Sequence, residues 1–287
     1  MFLHTYHPSP ILLTLGPVSI HWYGLCMVAG ILAGYLLARA SFRKAGLAVE
    51  FLERLLAPLL AGGFIGARVY HVLNELPYYA AHPLEIVAVW KGGLAIHGAL
   101  IGGAAALFWF IVRTDAIAKR APGFRGSLAP FLLFADMLAP GLALGQAIGR
   151  WGNYFNQELY GAPTLLPWGI PIDLASRVPG YEGYLYFHPA FLYESLWLFG
   201  VALILFFLLT RWARQEPFIE GCVFFLFLAL AGIGRFGVEF LRIDAMPYLF
   251  GVRLQQLVSA LSVALGIFGM LWVRRQRNLP SAAAGTQ

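Results

Sequence analysis

The sequence predicts an all-α fold: a polytopic membrane protein of about seven transmembrane helices with a small extracytoplasmic cap. Three observations predict it. The 287 residues are 60% hydrophobic and only 12% charged, against roughly 25% charged in soluble proteins, which is too few ionic groups to clothe a globule of this size. Apolar runs recur from residue 18 to residue 273, each long enough at ~1.5 Å rise per residue to cross a hydrocarbon core of ~30 Å. Finally, Lys and Arg gather in short blocks at alternate connections, as the positive-inside rule requires when the span count is right.

The spans are predicted at 18–40, 52–73, 92–113, 127–150, 189–210, 220–241 and 251–273. The first has no basic stretch ahead of it and is followed by Arg39, Arg43 and Lys44. That is the reverse of a cleavable signal peptide, so it is expected to stay as a helix with its N-terminus outside. Arg54 completes the first basic block; Arg113, Lys119, Arg120 and Arg125 mark the third connection, Arg211 and Arg214 the fifth, and Arg274, Arg275 and Arg277 follow the seventh span. These thirteen of the twenty basic residues share one side. The other seven, Arg68, Lys91, Arg150, Arg177, Arg235, Arg242 and Arg253, fall inside spans or on the opposite side. A single transmembrane domain over 1–277 with a cytoplasmic C-terminus follows, and 278–287 is expected to be a disordered cytoplasmic tail. The connection 151–188 is the only long one and is rich in Gly, Pro, Trp and Tyr. An ordered extracytoplasmic cap is expected there, because structureless loops of that length are uncommon.

Composition also excludes. The net charge of +6 sits in blocks flanking apolar runs, which is the pattern of membrane flanks rather than a nucleic-acid footprint, so no nucleic-acid partner is expected. Cys26 and Cys222 lie inside apolar runs and read as buried free thiols from which no metal framework can be built. The glycine clusters Gly62-Gly63, Gly66, Gly92-Gly93, Gly98 and Gly102-Gly103 read as small-residue helix packing. No strand precedes them and no Gly-Lys-Ser/Thr follows, so phosphate-loop chemistry is unsupported. Neither His-Glu-x-x-His nor Gly-x-Ser-x-Gly occurs, which counts against zinc or serine hydrolysis. No cofactor and no metal are expected.

Ionisable side chains inside a span cost roughly 2.5–3.5 kcal/mol on insertion scales and normally face a bundle interior or a wet cavity. Here Arg68 and His71 fall near the outer end of the second span, His97 in the first turns of the third, and Arg150 at the outer end of the fourth. Tyr193 and Glu194 open the fifth span, while Arg235, Glu239 and Arg242 close the sixth. Asp136 is the main exception to this outer clustering. Arg235, Glu239 and Arg242, spaced i, i+4 and i+7, share one helix stripe, and Arg68, His71 and Glu75 repeat the geometry. Snorkelling or helix-tying Arg–Glu pairs account for Arg242 and Glu75. Arg68, Arg150 and Arg235 are harder to explain that way: three arginines from three helices have only Glu158, Glu194 and Glu239 as nearby counter-ions, and an anionic ligand would complete the balance.

The most unusual segment is Gly149-Arg150-Trp151-Gly152-Asn153-Tyr154-Phe155-Asn156-Gln157-Glu158-Leu159-Tyr160-Gly161. Trp151 and Tyr160 alone would be interfacial belt residues. Asn153 and Asn156, neutral donors and acceptors beside a fixed cation, suit a polyol headgroup bearing phosphate.

With these residues in hand, the chain resembles the phosphatidylglycerol–prolipoprotein diacylglyceryl transferases, bacterial inner-membrane enzymes, over almost its whole length. The resemblance rests on His21-Trp22-Tyr23-Gly24, Gly66-Ala67-Arg68, Gly92-Gly93-Leu94-Ala95-Ile96-His97-Gly98 and the 149–161 signature. It continues through Leu166-Pro167-Trp168-Gly169, His188-Pro189 to Leu192-Tyr193-Glu194, and Gly234-Arg235-Phe236 to Glu239-Phe240-Leu241-Arg242. Departures are small and bear on local packing: Ala99 where a second glycine is usual, Gln157 where glycine is common, and Ala190-Phe191 where a polar pair is usual. The resemblance implies transfer of the sn-1,2-diacylglyceryl group from phosphatidylglycerol to the lipobox cysteine thiol of a prolipoprotein, with glycerol phosphate released, in the cytoplasmic membrane.

On that reading a thiolate is the nucleophile, and His97, the only histidine well inside a span, would act as general base or thiol orienter. The alternative for a lone intramembrane histidine is a hydrogen-bonded structural role. Arg150 and Arg235 would neutralise the leaving phosphate, with Glu239 and Glu158 fixing those arginines. Tyr23, Asn153 and Asn156 would hold the headgroup or ester region, and Gly161 would permit a tight turn. Arg68, His188, Tyr193, Glu194 and Arg242 complete the expected substrate-binding set. A transporter for an anionic solute is the competing reading, weakened because the polar set reaches only the outer half of the membrane and no broken-helix pair is visible.

Overall fold

The computed structural model describes residues 2–16, 18–114, 128–213 and 219–277, and among these seven helices are long and apolar enough to cross a membrane. The spanning helices are α2 (Trp22–Lys44), α3 (Val49–Asn74), α5 (Ile96–Arg113), α6 (Leu128–Phe155), α7 (Ala190–Trp212), α8 (Cys222–Glu239) and α9 (Leu254–Arg277). Short helices α1 (Phe2–Thr5) and α4 (Leu76–Ala81) accompany them. Three two-stranded antiparallel hairpins complete the order: β1 (Ile11–Leu15) with β2 (Val18–His21), β3 (Ile170–Pro171) with β4 (Tyr186–Phe187), and β5 (Tyr248–Leu249) with β6 (Val252–Arg253). The expected blocks containing Lys119, Arg120, Arg125 and Arg214, and the expected tail 278–287, lie outside the described residues.

All seven expected spans are present, and their ends differ from the sequence reading for local reasons. The first helix starts at Trp22 because residues 11–21 form a hairpin around Gly16, whose φ is +58°. The third starts at Ile96 because Gly92 and Gly93 take φ of +89° and +77°, a left-handed backbone that cannot propagate an α-helix. The fourth runs on to Phe155, so Arg150 lies within the helix rather than at its mouth.

The chain forms two compact units, residues 46–134 and residues 1–45 with 135–287. In the first, α3 and α5 meet through facing glycines: a Cβ on Gly62 would lie 2.7 Å from the Gly102 carbonyl, and one on Gly66 would collide with the Gly98 carbonyl. Small residues here let backbones approach closely, the source of helix association when lipid supplies no hydrophobic drive.

In the second unit the same device joins α2 to α6, where Cβ atoms on Gly30 and Gly34 would sit 2.7 and 2.8 Å from the carbonyls of Gly145 and Gly141. The fully buried Asp136 of α6 accepts hydrogen bonds from the backbone N–H groups of Gly221 and Phe224, both at 2.6 Å. It therefore caps the N-terminus of α8 from another helix, satisfying donors that the helix cannot. Residues 156–189 pack on a hydrophobic core of Tyr154, Tyr160, Ile170, Ile172, Phe187 and Phe191. Tyr160 is buried there, accepting from Val178 N–H at 2.7 Å and donating to the Ser176 carbonyl at 2.9 Å, so it is a core residue of this region and not part of an interfacial belt. Cys26 and Cys222 are free thiols.

Candidate active site

At one end of the second unit, α6, α7, α8 and the β5–β6 hairpin bring seven charged side chains into a continuous line of alternating sign. Arg150 Nε is 3.0 Å from Glu194 Oε2, and Glu194 Oε1 accepts from Arg235 Nη1 at 3.0 Å. Arg235 Nη2 is 2.7 Å from Glu239 Oε2, and Glu239 Oε1 is 2.7 Å from Arg253 Nε. Arg253 Nη2 then approaches Asp244 Oδ1 at 3.7 Å, and Asp244 Oδ1 accepts from Arg242 Nε at 2.6 Å. Glu239 is fully buried at ion-pair distances that are off hydrogen-bond alignment, so its attachment to both arginines is chiefly Coulombic. Removing both arginines would strand the buried Glu239 charge at a cost of roughly 3–5 kcal/mol, and either one alone keeps it paired.

The line starts and ends on a cation: four guanidiniums stand against three carboxylates. Arg150 keeps the most freedom. Its Nε faces Glu194, while Nη1 and Nη2 have no partner among the described residues, and the side chain is 28% exposed. A planar fork of N–H donors that is held at its root and open at its tip is suited to a phosphate. Burial by itself would raise the Asp244 carboxyl, but the Arg242 hydrogen bond and the charges of Arg242 and Arg253 outweigh it and hold that group below the ordinary carboxylate range.

Of the three expected counter-ions, Glu194 and Glu239 pair with arginines of the line. Arg150 and Arg235 are brought together, but through Glu194, which binds both. Glu239 fixes Arg235 as expected. Glu158 holds no arginine among the described residues; its Oε1 accepts from Asn153 at 2.8 Å and from Asn156 at 3.4 Å. Arg253 and Asp244 are not among the expected site residues. Their only signals were a carboxylate two positions after Arg242 and a lone basic residue that breaks the charge bias ahead of the last span.

Other expected site residues belong to the same unit. Tyr23 lies over Gly152, where a Cβ would meet its ring at 2.7 Å. His188 Nδ1 and the Tyr193 hydroxyl are 3.1 Å apart, and Trp168 Nε1 donates to the same hydroxyl at 2.9 Å. Gly161 bridges to Arg242 in antiparallel fashion and donates to the His188 carbonyl at 2.9 Å. It is needed for close approach rather than for a tight turn, since a Cβ would lie 2.8 Å from that of His188 and 3.1 Å from the Leu241 carbonyl. Gln157 holds a left-handed φ of +52°. Its side chain donates to Asp173 Oδ2 at 2.6 Å and to the Pro8 carbonyl at 2.8 Å, and accepts from Asp173 N–H at 2.7 Å. That bonding offsets the strain glycine would avoid. Phe191, at another departure from the family pattern, stacks on Tyr154 with ring centroids 4.7 Å apart. An apolar cavity of about 440 Å³ lined by Leu3, Tyr6, Trp22, Trp151, Tyr154 and Phe155 adjoins the last turn of α6.

Arg68 and His97 belong to the other unit. Arg68 is buried and donates to the carbonyls of Ile86 (2.8 Å), Gly92 (2.7 Å), Gly93 (3.0 Å) and Glu85 (2.6 Å), which folds residues 85–93 around its guanidinium. His97, in the first turn of α5, is exposed; its ring lies 5.9 Å from that of Tyr70, and it has no hydrogen-bond partner among the described residues.

Membrane-crossing helices that gather their arginines and carboxylates into one buried line at a helix end define a polytopic membrane protein with a polar, anion-suited site. The family model for prolipoprotein diacylglyceryl transferase matches residues 10–272. A phosphatidylglycerol–prolipoprotein diacylglyceryl transferase of Nostoc sp. is 41% identical over 281 residues, 97% of this chain and 94% of its own. One from Trichormus variabilis is 40% identical, covering 99% and 96%, and one from Gloeobacter violaceus 41%, covering 94% of each. The chain belongs to the prolipoprotein diacylglyceryl transferase family.

Proposed function

We propose that this protein transfers the sn-1,2-diacylglyceryl group of phosphatidylglycerol to the lipobox cysteine thiol of an exported prolipoprotein, the first step of bacterial lipoprotein maturation. The bond between the diacylglyceryl carbon and the phosphate-ester oxygen breaks, the thiolate sulfur bonds to that carbon, and glycerol phosphate leaves as an anion. The observation that carries this reading is the open guanidinium fork of Arg150, rooted on the same Glu194 that holds Arg235. These two cations would bind the phosphate in the ground state and stabilise the charge that grows on it as the ester bond breaks.

Asn153, Asn156 and Tyr23 would hold the glycerol headgroup, with Glu158 orienting both amides. Glu194, Glu239 and Arg242 would set the arginines in place, and His188, Tyr193 and Gly161 would shape the adjoining wall. Arg68 would act by shaping the 85–93 loop. His97, an exposed imidazole with no hydrogen-bond partner among the described residues, would carry the thiol-activating role. The charge bias of the connections supports a cytoplasmic-membrane protein with an extracytoplasmic N-terminus and a cytoplasmic C-terminus.

Arg150→Ala and Arg235→Ala should each lower transfer to a thiol peptide in phosphatidylglycerol proteoliposomes by at least about a hundredfold, while the protein still inserts and melts cooperatively. Near-normal transfer by either variant would remove the phosphate role.

A further inference from the structure

Arg253 is the one cation of the charged line that this reaction scheme leaves without a task. It ends β6, just ahead of α9. Its Nε lies 2.7 Å from Glu239 Oε1, its Nη1 donates to the Arg242 carbonyl at 2.7 Å, and its Nη2 donates to the Asp244 carbonyl at 2.9 Å. Glu239, fully buried, is thus shared between Arg235 and Arg253. Without Arg253, Glu239 would have Arg235 as its sole cation among the described residues, and the line would hold three guanidiniums against three carboxylates. With it, the line carries one positive charge beyond neutrality, the complement of a single phosphodiester.

We infer that Arg253 is a positioning and selectivity residue: by taking part of the Glu239 charge it leaves Arg235 free to engage a lipid phosphate, and it supplies the excess charge that favours an anionic lipid over a zwitterionic one. The inference rests on the phosphate reading of Arg150 and Arg235 and deepens it. The two carbonyl bonds would also let Arg253 serve as a plain brace for the hairpin, so the test has to separate charge sharing from bracing.

The full chain in proteoliposomes, with phosphatidylglycerol varied and a thiol peptide as acceptor, provides it. Arg253→Ala should raise KM for phosphatidylglycerol by about tenfold or more, and zwitterionic phosphatidylethanolamine should become a relatively better competitor. Adding Glu239→Gln to Arg253→Ala should recover most of that loss, because a neutral amide no longer draws Arg235 away; a brace would not be rescued this way. Arg253→Lys keeps the charge without the fork and should stay within about threefold of wild type. It carries the test if Arg253→Ala does not fold. An unchanged KM in Arg253→Ala, a double variant no better than the single, or a tenfold loss in Arg253→Lys would each overturn the inference. Arg235→Ala in the same assay tells the two failures apart: if it is inactive while Arg253→Ala is normal, only the positioning role falls, and if it is active, the phosphate reading falls and takes this inference with it.

Discussion

Arg68 and Arg150 are both arginines near one end of a spanning helix, and the fold uses them in opposite ways. Arg68 spends its guanidinium on four backbone carbonyls, which leaves one of its five N–H groups uncommitted. Arg150 is held only at Nε, by a carboxylate that it shares with Arg235. Neutral carbonyls arranged around an arginine make a structural post; a carboxylate at its root with the tip left open makes a ligand site. An intramembrane arginine therefore reveals its role by how many of its donors are already used, and its position in the sequence does not report that number.

Substituting the two residues should break the comparison cleanly. Arg150→Ala is expected to lose activity while its melting temperature holds. Arg68→Ala should instead orphan carbonyls of the 85–93 loop, costing about 3 kcal/mol, and lower the melting temperature while leaving KM for phosphatidylglycerol in the surviving protein close to wild type. Thermal melts and lipid-dependence curves on the same preparations would check both. An activity-dead but fully stable Arg68→Ala would place Arg68 with the ligand-binding residues.

A second contrast lies within the larger unit, between the charged line at one end and Asp136 in α6. Its carboxylate is spent on the N–H groups of Gly221 and Phe224, which argues against its lining an anion path and so against the transporter reading. Asp136→Ala should cost about 2 kcal/mol of stability with little change in KM, measured by denaturation in detergent; a selective loss of lipid affinity would contradict a capping role. The smallest effect is expected at Asp244, whose carboxyl is held below its ordinary range. A depressed carboxylate contributes stability that is complete above its unfolded value and lost as pH falls through the folded one. Melting temperature should therefore fall below about pH 4, and Asp244→Asn should flatten that acid limb.

Much of the fold was legible because apolar length and charge bias are one-dimensional signals: seven spans follow from them directly. The expected first span takes in residues 18–21, the second strand of the hairpin, because apolar β-branched residues do not by themselves distinguish strand from helix. In the site, the i, i+4 spacing revealed the Arg235–Glu239 step alone. The links from Arg150 through Glu194 and from Glu239 through Arg253 join residues far apart in the chain, and no local periodicity encodes them. Gly161 shows the same limit, since its need for a missing Cβ comes from His188 and Leu241 and not from its own turn.

The most direct test of the account is a structure of the protein with phosphatidylglycerol bound. The phosphate should sit at charge-assisted hydrogen-bond distance, about 2.7–2.9 Å, from Arg150 Nη1 or Nη2, with Glu194 still bridging to Arg235. A phosphate resting on Arg68 or His97, with the Arg150 fork still empty, would contradict it.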